Sequence, residues 1–281
     1  MIITDRFVFL HVPKTGGTFV TSILEELHSK TEDYHFDTAK ENDSDKHSLL
    51  GAIPDKEINK PVLVCVRDPF DHLISMYEFK WWYEDKDGFF LHKKVKEKFP
   101  SFPELSFEEF IYAINDWSIL NTAGWIEKNK NILIKNNIGS LTMWYLPAIF
   151  YQPMNVVRNV KKFMFGNPYR NVSSNIHIIH KENLNVGLHN FLSQMGYKSE
   201  DIEFIIGRDT IRPDSSERKN SEEFYNNHIE NKGFLRDINE YYSSELIDYV
   251  LRKERAIFKL FPQYIPISST QWRVKRVGYL C

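Results

Sequence analysis

The sequence has few cysteines, no long apolar run and no excess of charge of either sign, and each absence excludes a class of protein. Only two of its 281 residues are cysteine, Cys65 inside an apolar segment and Cys281 at the last position, so a disulfide framework is not expected. No apolar run is long enough to span a bilayer, and the first residues lack the basic and apolar segments of a secretion signal. We therefore expect no transmembrane segment and a reducing, cytoplasmic location.

Charge and composition favour one globular domain without a general affinity for polyanions. The 36 Lys and Arg residues and the 38 Asp and Glu residues give a formal net charge of −2, which argues against nucleic acid as a partner. Apolar residues make up 42% of the chain, enough to bury a core. Because neither a linker nor a repeat interrupts the sequence, we expect a single domain over residues 1–281.

The functional motif with the clearest physical meaning is the stretch HVPKTGGTF, which covers residues 11–19. The apolar run at residues 6–10 before it predicts a buried strand. Apolar residues after it recur with helical spacing, at Phe19, Val20, Ile23, Leu24 and Leu27. Thr18 is available to cap the first turn of that helix. The unit is therefore strand, tight turn and helix, and the free amides at the start of a helix favour an anion.

The residue types within this turn are those that bind tetrahedral oxygens. Gly16 and Gly17 allow the backbone to come close to a ligand and to adopt positive φ. Lys14 adds a mobile positive charge, and Thr15 and Thr18 add hydroxyl donors. A capped helix after a Pro-Lys turn is the structural alternative, but the joint occurrence of strand, lysine, glycines, threonines and helix favours an anion site.

The order of these residues differs from the nucleotide triphosphate loop, in which the lysine follows the second glycine and directly precedes Ser or Thr. Here Lys14 precedes both glycines. This order resembles the 5′-phosphosulfate loop of sulfotransferases that use 3′-phosphoadenosine 5′-phosphosulfate. The sequence HVPKTGGT is similar to the loop of carbohydrate sulfotransferases of the heparan 2-O and 6-O kind. Golgi members of that family carry a membrane anchor, so its absence here points to a soluble, bacterial-type enzyme.

A second motif follows the next apolar strand. Residues 62–66 form a continuous apolar run, which is typical of a strand buried on both faces of a parallel sheet. Arg67 comes directly after it, Pro69 suits the first turn of a helix, and Ser75 lies away from the apolar stripe of that helix. An Arg followed eight residues later by Ser resembles the 3′-phosphate motif of sulfotransferases. The structural alternatives are a salt-bridged arginine and a solvated serine.

The resemblance also implies a general base and an acceptor. In similar sequences a histidine between the phosphosulfate loop and the second strand lies on the acceptor side of the cleft. By this resemblance we choose His47 as the general base. His11 is the rival, although it is more typical of a residue that packs against the sheet or fixes the loop.

The resemblance implies an α/β fold with a central parallel sheet flanked by helices, like that of nucleotide kinases.

The expected reaction is transfer of a sulfuryl group from 3′-phosphoadenosine 5′-phosphosulfate to an acceptor hydroxyl, with a glycan favoured. Lys14 would stabilise charge on the leaving oxygen, and no metal is implied. The alternatives are an atypical small-molecule kinase and a catalytically silent nucleotide-binding module. One family feature is missing, because Arg218 and Lys219 are followed by Asn220 where cytosolic sulfotransferases have glycine, so no 3′-phosphate role is transferred to them.

Overall fold

The computed structural model describes residues 1–30, 36–38, 49–83, 88–122, 124–172, 174–208 and 238–266. Five strands are present in this part of the chain: β1 (Ile2–Thr4), β2 (Val8–Leu10), β3 (Phe36–Thr38), β4 (Val62–Val66) and β5 (Ile176–His180). The α-helices are α1 (Gly17–Lys30), α2 (Pro69–Phe79), α3 (His92–Lys98), α4 (Phe107–Ile114), α5 (Gly124–Lys135), α6 (Ser140–Ile149), α7 (Pro153–Arg158), α8 (Val160–Phe165), α9 (Leu184–Gln194), α10 (Ser199–Ile202), α11 (Ser244–Lys253) and α12 (Arg255–Leu260). Within the described ranges, no helix has the length and apolar character needed to cross a membrane.

The strands form one mixed sheet in the order β3-β1-β2-β4-β5. Strands β2, β4 and β5 are parallel, which confirms the predicted α/β fold with a central parallel sheet. Strand β1 pairs antiparallel with both β2 and β3, an extension that the sequence analysis did not predict. The carboxyl ends of β2, β4 and β5 therefore lie at the same edge of the sheet, where open α/β sheets bind ligands.

The chain divides into two compact units, each made of two sequence segments. Unit 1 comprises Met1–Arg67 and Ser173–Arg236, and unit 2 comprises Asp68–Val172 and Asp237–Cys281. The whole sheet lies in unit 1 together with α1, α9 and α10, whereas the other helices belong to unit 2. The expectation of a single domain over residues 1–281 stays a prediction.

The core of unit 1 explains the sequence patterns of its strands and helices. Leu63 and Cys65 of β4 point to one face of the sheet, where they share a buried cluster with residues of α1 and α9. Val62, Val64 and Val66 alternate with them and are also fully buried, so β4 has no polar face. The strand predicted over residues 62–66 is confirmed with the same bounds. Cys65 is a buried free thiol.

Unit 2 is helical, and polar side chains cap several of its helices. The carboxylate of Asp68 caps α2 by accepting the amide protons of Phe70 and Asp71. The periodicity between Ile238 and Leu260 predicts one long helix, and this is wrong: the first three residues form a 3-10 turn, α11 begins at Ser244, and the chain breaks at Glu254 before α12. The break lets the Glu254 carboxylate, which is 0% exposed, turn toward the first residues of α6.

Glu254 accepts three hydrogen bonds at the start of α6. The amide of Leu141 donates at 3.2 Å, and both the amide and the hydroxyl of Thr142 donate at 2.7 Å. These bonds satisfy amides that have no partner inside the helix, and the carboxylate lies at the positive end of its dipole. Burial nevertheless raises the pKa of Glu254, because a carboxyl removed from water resists ionisation.

Candidate functional site

The candidate site begins where β2 ends and α1 begins, in unit 1. Between them, Lys14 has a φ of +64° and Gly16 a φ of +95°, so the backbone turns twice through the left-handed region. The amide of Val20 donates to the carbonyl of Gly16 at 3.3 Å, which makes Gly16 the residue that precedes the helix. Thr18, suggested by the sequence as the cap, instead lies inside the first turn with an exposed side chain.

The start of α1 has the electrostatics of an anion site. Its first amides have no partner within the helix and carry the positive end of the helix dipole. The first turn contains no acidic residue that would offset this charge. Thr18 adds an exposed hydroxyl at the same end, and Lys14 adds an ammonium from the preceding turn. The loop can therefore hold a phosphate or sulfate group.

Thr15 holds the turn together from inside. Its side chain is fully buried, and its hydroxyl donates to the carbonyl of Val12 at 2.8 Å. In this arrangement the hydroxyl proton stabilises the loop, while a contact of Thr15 with a ligand stays a prediction.

His11 is packed beneath the loop. It is 7% exposed, and its ring stacks on Phe9 with a centroid distance of 6.0 Å and an interplanar angle of 25°. A Cβ added to Gly17 would lie 2.1 Å from Cδ2 of His11, a distance that side chains do not adopt. This position agrees with the packing role considered from the sequence, and it explains why residue 17 must be glycine while the ring is in place.

Arg67 brings the second motif to the loop. It follows the last residue of β4, which is the parallel neighbour of β2 in the sheet. Its Nη1 donates to the carbonyl of Lys14 at 2.9 Å. Because a guanidinium has five N–H donors and this bond uses one, the contact is compatible with a second bond to a ligand. The structure thus joins Lys14 and Arg67, which lie 53 residues apart in the sequence.

The other predicted site residues lie elsewhere or outside the described part of the chain. Ser75 lies on α2 in unit 2 and is half-buried. His47 and the segment Arg218, Lys219 and Asn220 fall outside the described residues. The role of His47 as general base therefore stays a prediction, and no role in binding the 3′-phosphate is assigned to Arg218, Lys219 and Asn220.

Two residues at the end of β5 were not among the predicted site residues. His180 pairs with Val66 of β4 in the parallel register, and Lys181 follows it. Burial lowers the pKa of His180, although Glu182 acts in the opposite direction. The topology of the sheet could have indicated these two residues, because three parallel strands end at one edge and the residues after each strand meet there.

The described residues contain no group of three His, Cys, Asp or Glu side chains that could hold a metal ion. The candidate site provides cationic groups, from Lys14 and Arg67, and backbone amides at the start of α1. These groups bind anionic oxygens directly.

Comparison with known proteins identifies a relative and a family. A protein-tyrosine sulfotransferase from Arabidopsis thaliana is 34% identical over 88 residues, which cover 27% of this chain and 17% of that protein. The match therefore spans about a sixth of the relative's length. No solved structure matches significantly. A family model described as "Sulfotransferase family" matches residues 2–260, a range that includes the loop, Arg67 and the end of β5. The chain therefore belongs to the sulfotransferase family.

Proposed function

We propose that this protein transfers a sulfuryl group from 3′-phosphoadenosine 5′-phosphosulfate to an acceptor hydroxyl. The observation that carries the proposal is the loop before α1, where Lys14, the helix amides and Arg67 converge at the carboxyl edge of the sheet. Family membership supports a transferase, and the geometry favours an anionic donor.

In the proposed reaction the acceptor oxygen attacks sulfur in line with the bond that breaks. A new S–O bond forms, the S–O bond to the 5′-phosphate breaks, and adenosine 3′,5′-bisphosphate leaves. The loop amides hold the phosphosulfate group, and the ammonium of Lys14 stabilises the charge that develops on the leaving oxygen. Arg67, through its bond to the Lys14 carbonyl, keeps the backbone of Lys14 in its left-handed conformation.

The acceptor proton needs a base, and we propose His47 for that role. The choice comes from its sequence position between the two motifs and not from a contact. We also propose that Arg67 and Ser75 bind the 3′-phosphate, as the resemblance implies. The reaction as proposed uses no metal, and a cytoplasmic location completes the proposal.

For the acceptor, we propose a glycan hydroxyl, on the similarity of the sequence HVPKTGGT to carbohydrate sulfotransferases. A tyrosyl hydroxyl is the second candidate, because the relative found by comparison is named a protein-tyrosine sulfotransferase. Incubation of the protein with radiolabelled donor and either heparan-type oligosaccharides or a tyrosine-containing peptide separates the two. Label in the peptide alone would overturn the glycan proposal.

Calorimetric titration tests the donor. We expect adenosine 3′,5′-bisphosphate to bind without metal, and ATP with magnesium to bind much more weakly. Lys14→Ala should lower affinity for the bisphosphate by about 10- to 100-fold, because a hydrogen bond to a charged group contributes roughly 1.5–3 kcal/mol.

Lys56→Ala is the matched control in the same unit, since its side chain is 82% exposed and its ammonium lies 3.9 Å from the carboxylate of Glu57. Its affinity should equal that of the wild type. Tight binding of ATP with magnesium, without binding of the bisphosphate, would favour a kinase and overturn the proposal.

A further inference from the structure

The segment that follows β5 lies against the phosphosulfate loop. Lys181 is the first residue of a short 3-10 turn, Lys181–Asn183, and α9 begins at Leu184. A Cβ added to Gly16 would lie 2.7 Å from Cδ2 of Leu184 and 3.8 Å from Cγ of Lys181. Two side chains of this segment therefore border the residue that precedes α1.

The core of unit 1 keeps this segment in place. Leu184 is buried in the same cluster as Val20 and Ile23 of α1, and Leu188 on the next turn of α9 joins it. Because the anchor lies on α9 and the loop lies at the start of α1, packing of the two helices on one face of the sheet fixes the distance between them. The position of the Lys181 stem beside Gly16 is thus a property of the core.

Lys181 is half-buried, which suits a side chain whose stem packs while its charge remains accessible. Its Cγ is the atom nearest to Gly16, and the ammonium lies three bonds further along the chain. Gly16 is also where the free amides of α1 begin. The ammonium of Lys181 can therefore reach an anion held by those amides.

We infer that Lys181 is a second cationic residue of the donor site and binds the 5′ end of the donor nucleotide; this inference rests on the proposed function. The phosphosulfate group carries two anionic centres, one on phosphorus and one on sulfur. Residues 11–19 supply one ammonium, that of Lys14, and Arg67 already donates to the backbone of the loop. Lys181 supplies the second point charge from the segment that follows β5.

The test compares the binding of two nucleotides to four proteins: the wild type and three variants. Lys181→Met keeps the apolar stem beside Gly16 and removes the charge, so it leaves the packing in place. We expect it to bind adenosine 3′,5′-bisphosphate about tenfold more weakly than the wild type, since one charged contact is lost. Its affinity for adenosine 3′-monophosphate, which has no 5′-phosphate, should be unchanged. Lys181→Arg should restore most of the lost affinity, and Lys56→Ala should behave as wild type.

The outcomes separate the two proposals. If the wild type does not bind the bisphosphate, the proposed function fails. If the wild type binds and Lys181→Met binds equally well, the inference about Lys181 is overturned while the proposed function stands. Equal losses for both nucleotides would also overturn it, because they would identify Lys181 as a structural residue.

Discussion

Replacement of Gly17 by alanine should destabilise the protein, although the same change inside most helices stabilises them. Alanine is favoured over glycine in a helix by about 1 kcal/mol. At Gly17 the new Cβ would lie 2.1, 2.3 and 2.6 Å from three atoms of the His11 ring. That ring is buried and stacked on Phe9, so it cannot move without loss of packing. Overpacking of this kind costs roughly 1–3 kcal/mol, so we expect a net loss of up to about 2 kcal/mol.

A double-mutant cycle tests whether the His11 ring is the cause. His11→Ala removes the ring, and Gly17→Ala in that background should be neutral or stabilising. The free energy of unfolding of the four proteins, from denaturant titration, should give a coupling of about 1–3 kcal/mol. Gly51→Ala is the control, because nothing lies within 4 Å of its added Cβ. Equal effects of Gly17→Ala in both backgrounds would refute the explanation.

Three further predictions concern the site and unit 2. Arg67→Ala should weaken binding of adenosine 3′,5′-bisphosphate more than binding of adenosine 5′-monophosphate, and equal losses would show that Arg67 is a structural residue, as its bond to the Lys14 carbonyl would allow. His47→Ala should lower kcat by about 10²–10⁴ with donor affinity unchanged. Normal turnover on the true acceptor would overturn the role of His47 as the general base. Glu254 has a raised pKa, so its contribution to stability is full below its ordinary value of 4.5 and is lost as pH rises through the folded value. The free energy of unfolding of the wild type relative to Glu254→Gln should therefore fall as pH rises above 4.5, and a constant difference would contradict this.

The strand, loop and helix at residues 8–30 could be predicted because every signal there is local. Glycines, the lysine and the apolar spacing all fall within about two dozen residues, and the same holds for β4 and the start of α2. Strands β1 and β3, with the sequences Ile-Ile-Thr and Phe-Asp-Thr, could not be predicted, because neither contains a continuous apolar run like that of residues 7–10 at β2. Their pairing depends on β2 and not on their own sequence.

The remaining differences are tertiary. The break at Glu254 interrupts an apolar pattern that is otherwise continuous, and it places the carboxylate at the start of α6, a contact that no local pattern indicates. In the same way, nothing in the sequence around Lys181 indicates that its stem lies beside Gly16, which is 165 residues earlier. Packing of α9 against α1 supplies the missing information.

The contact between Glu254 and α6 also sets an order for folding during synthesis. Thr142 and Glu254 are 112 residues apart, so at a synthesis rate of about 5–20 residues per second Thr142 is added to the chain roughly 6–22 s before Glu254. A nascent chain that ends before residue 254 leaves the buried amides of Leu141 and Thr142 without it. Unit 2 can thus reach its final packing only when α11 and α12 have left the ribosome, which makes its completion a late event in the life of the nascent chain.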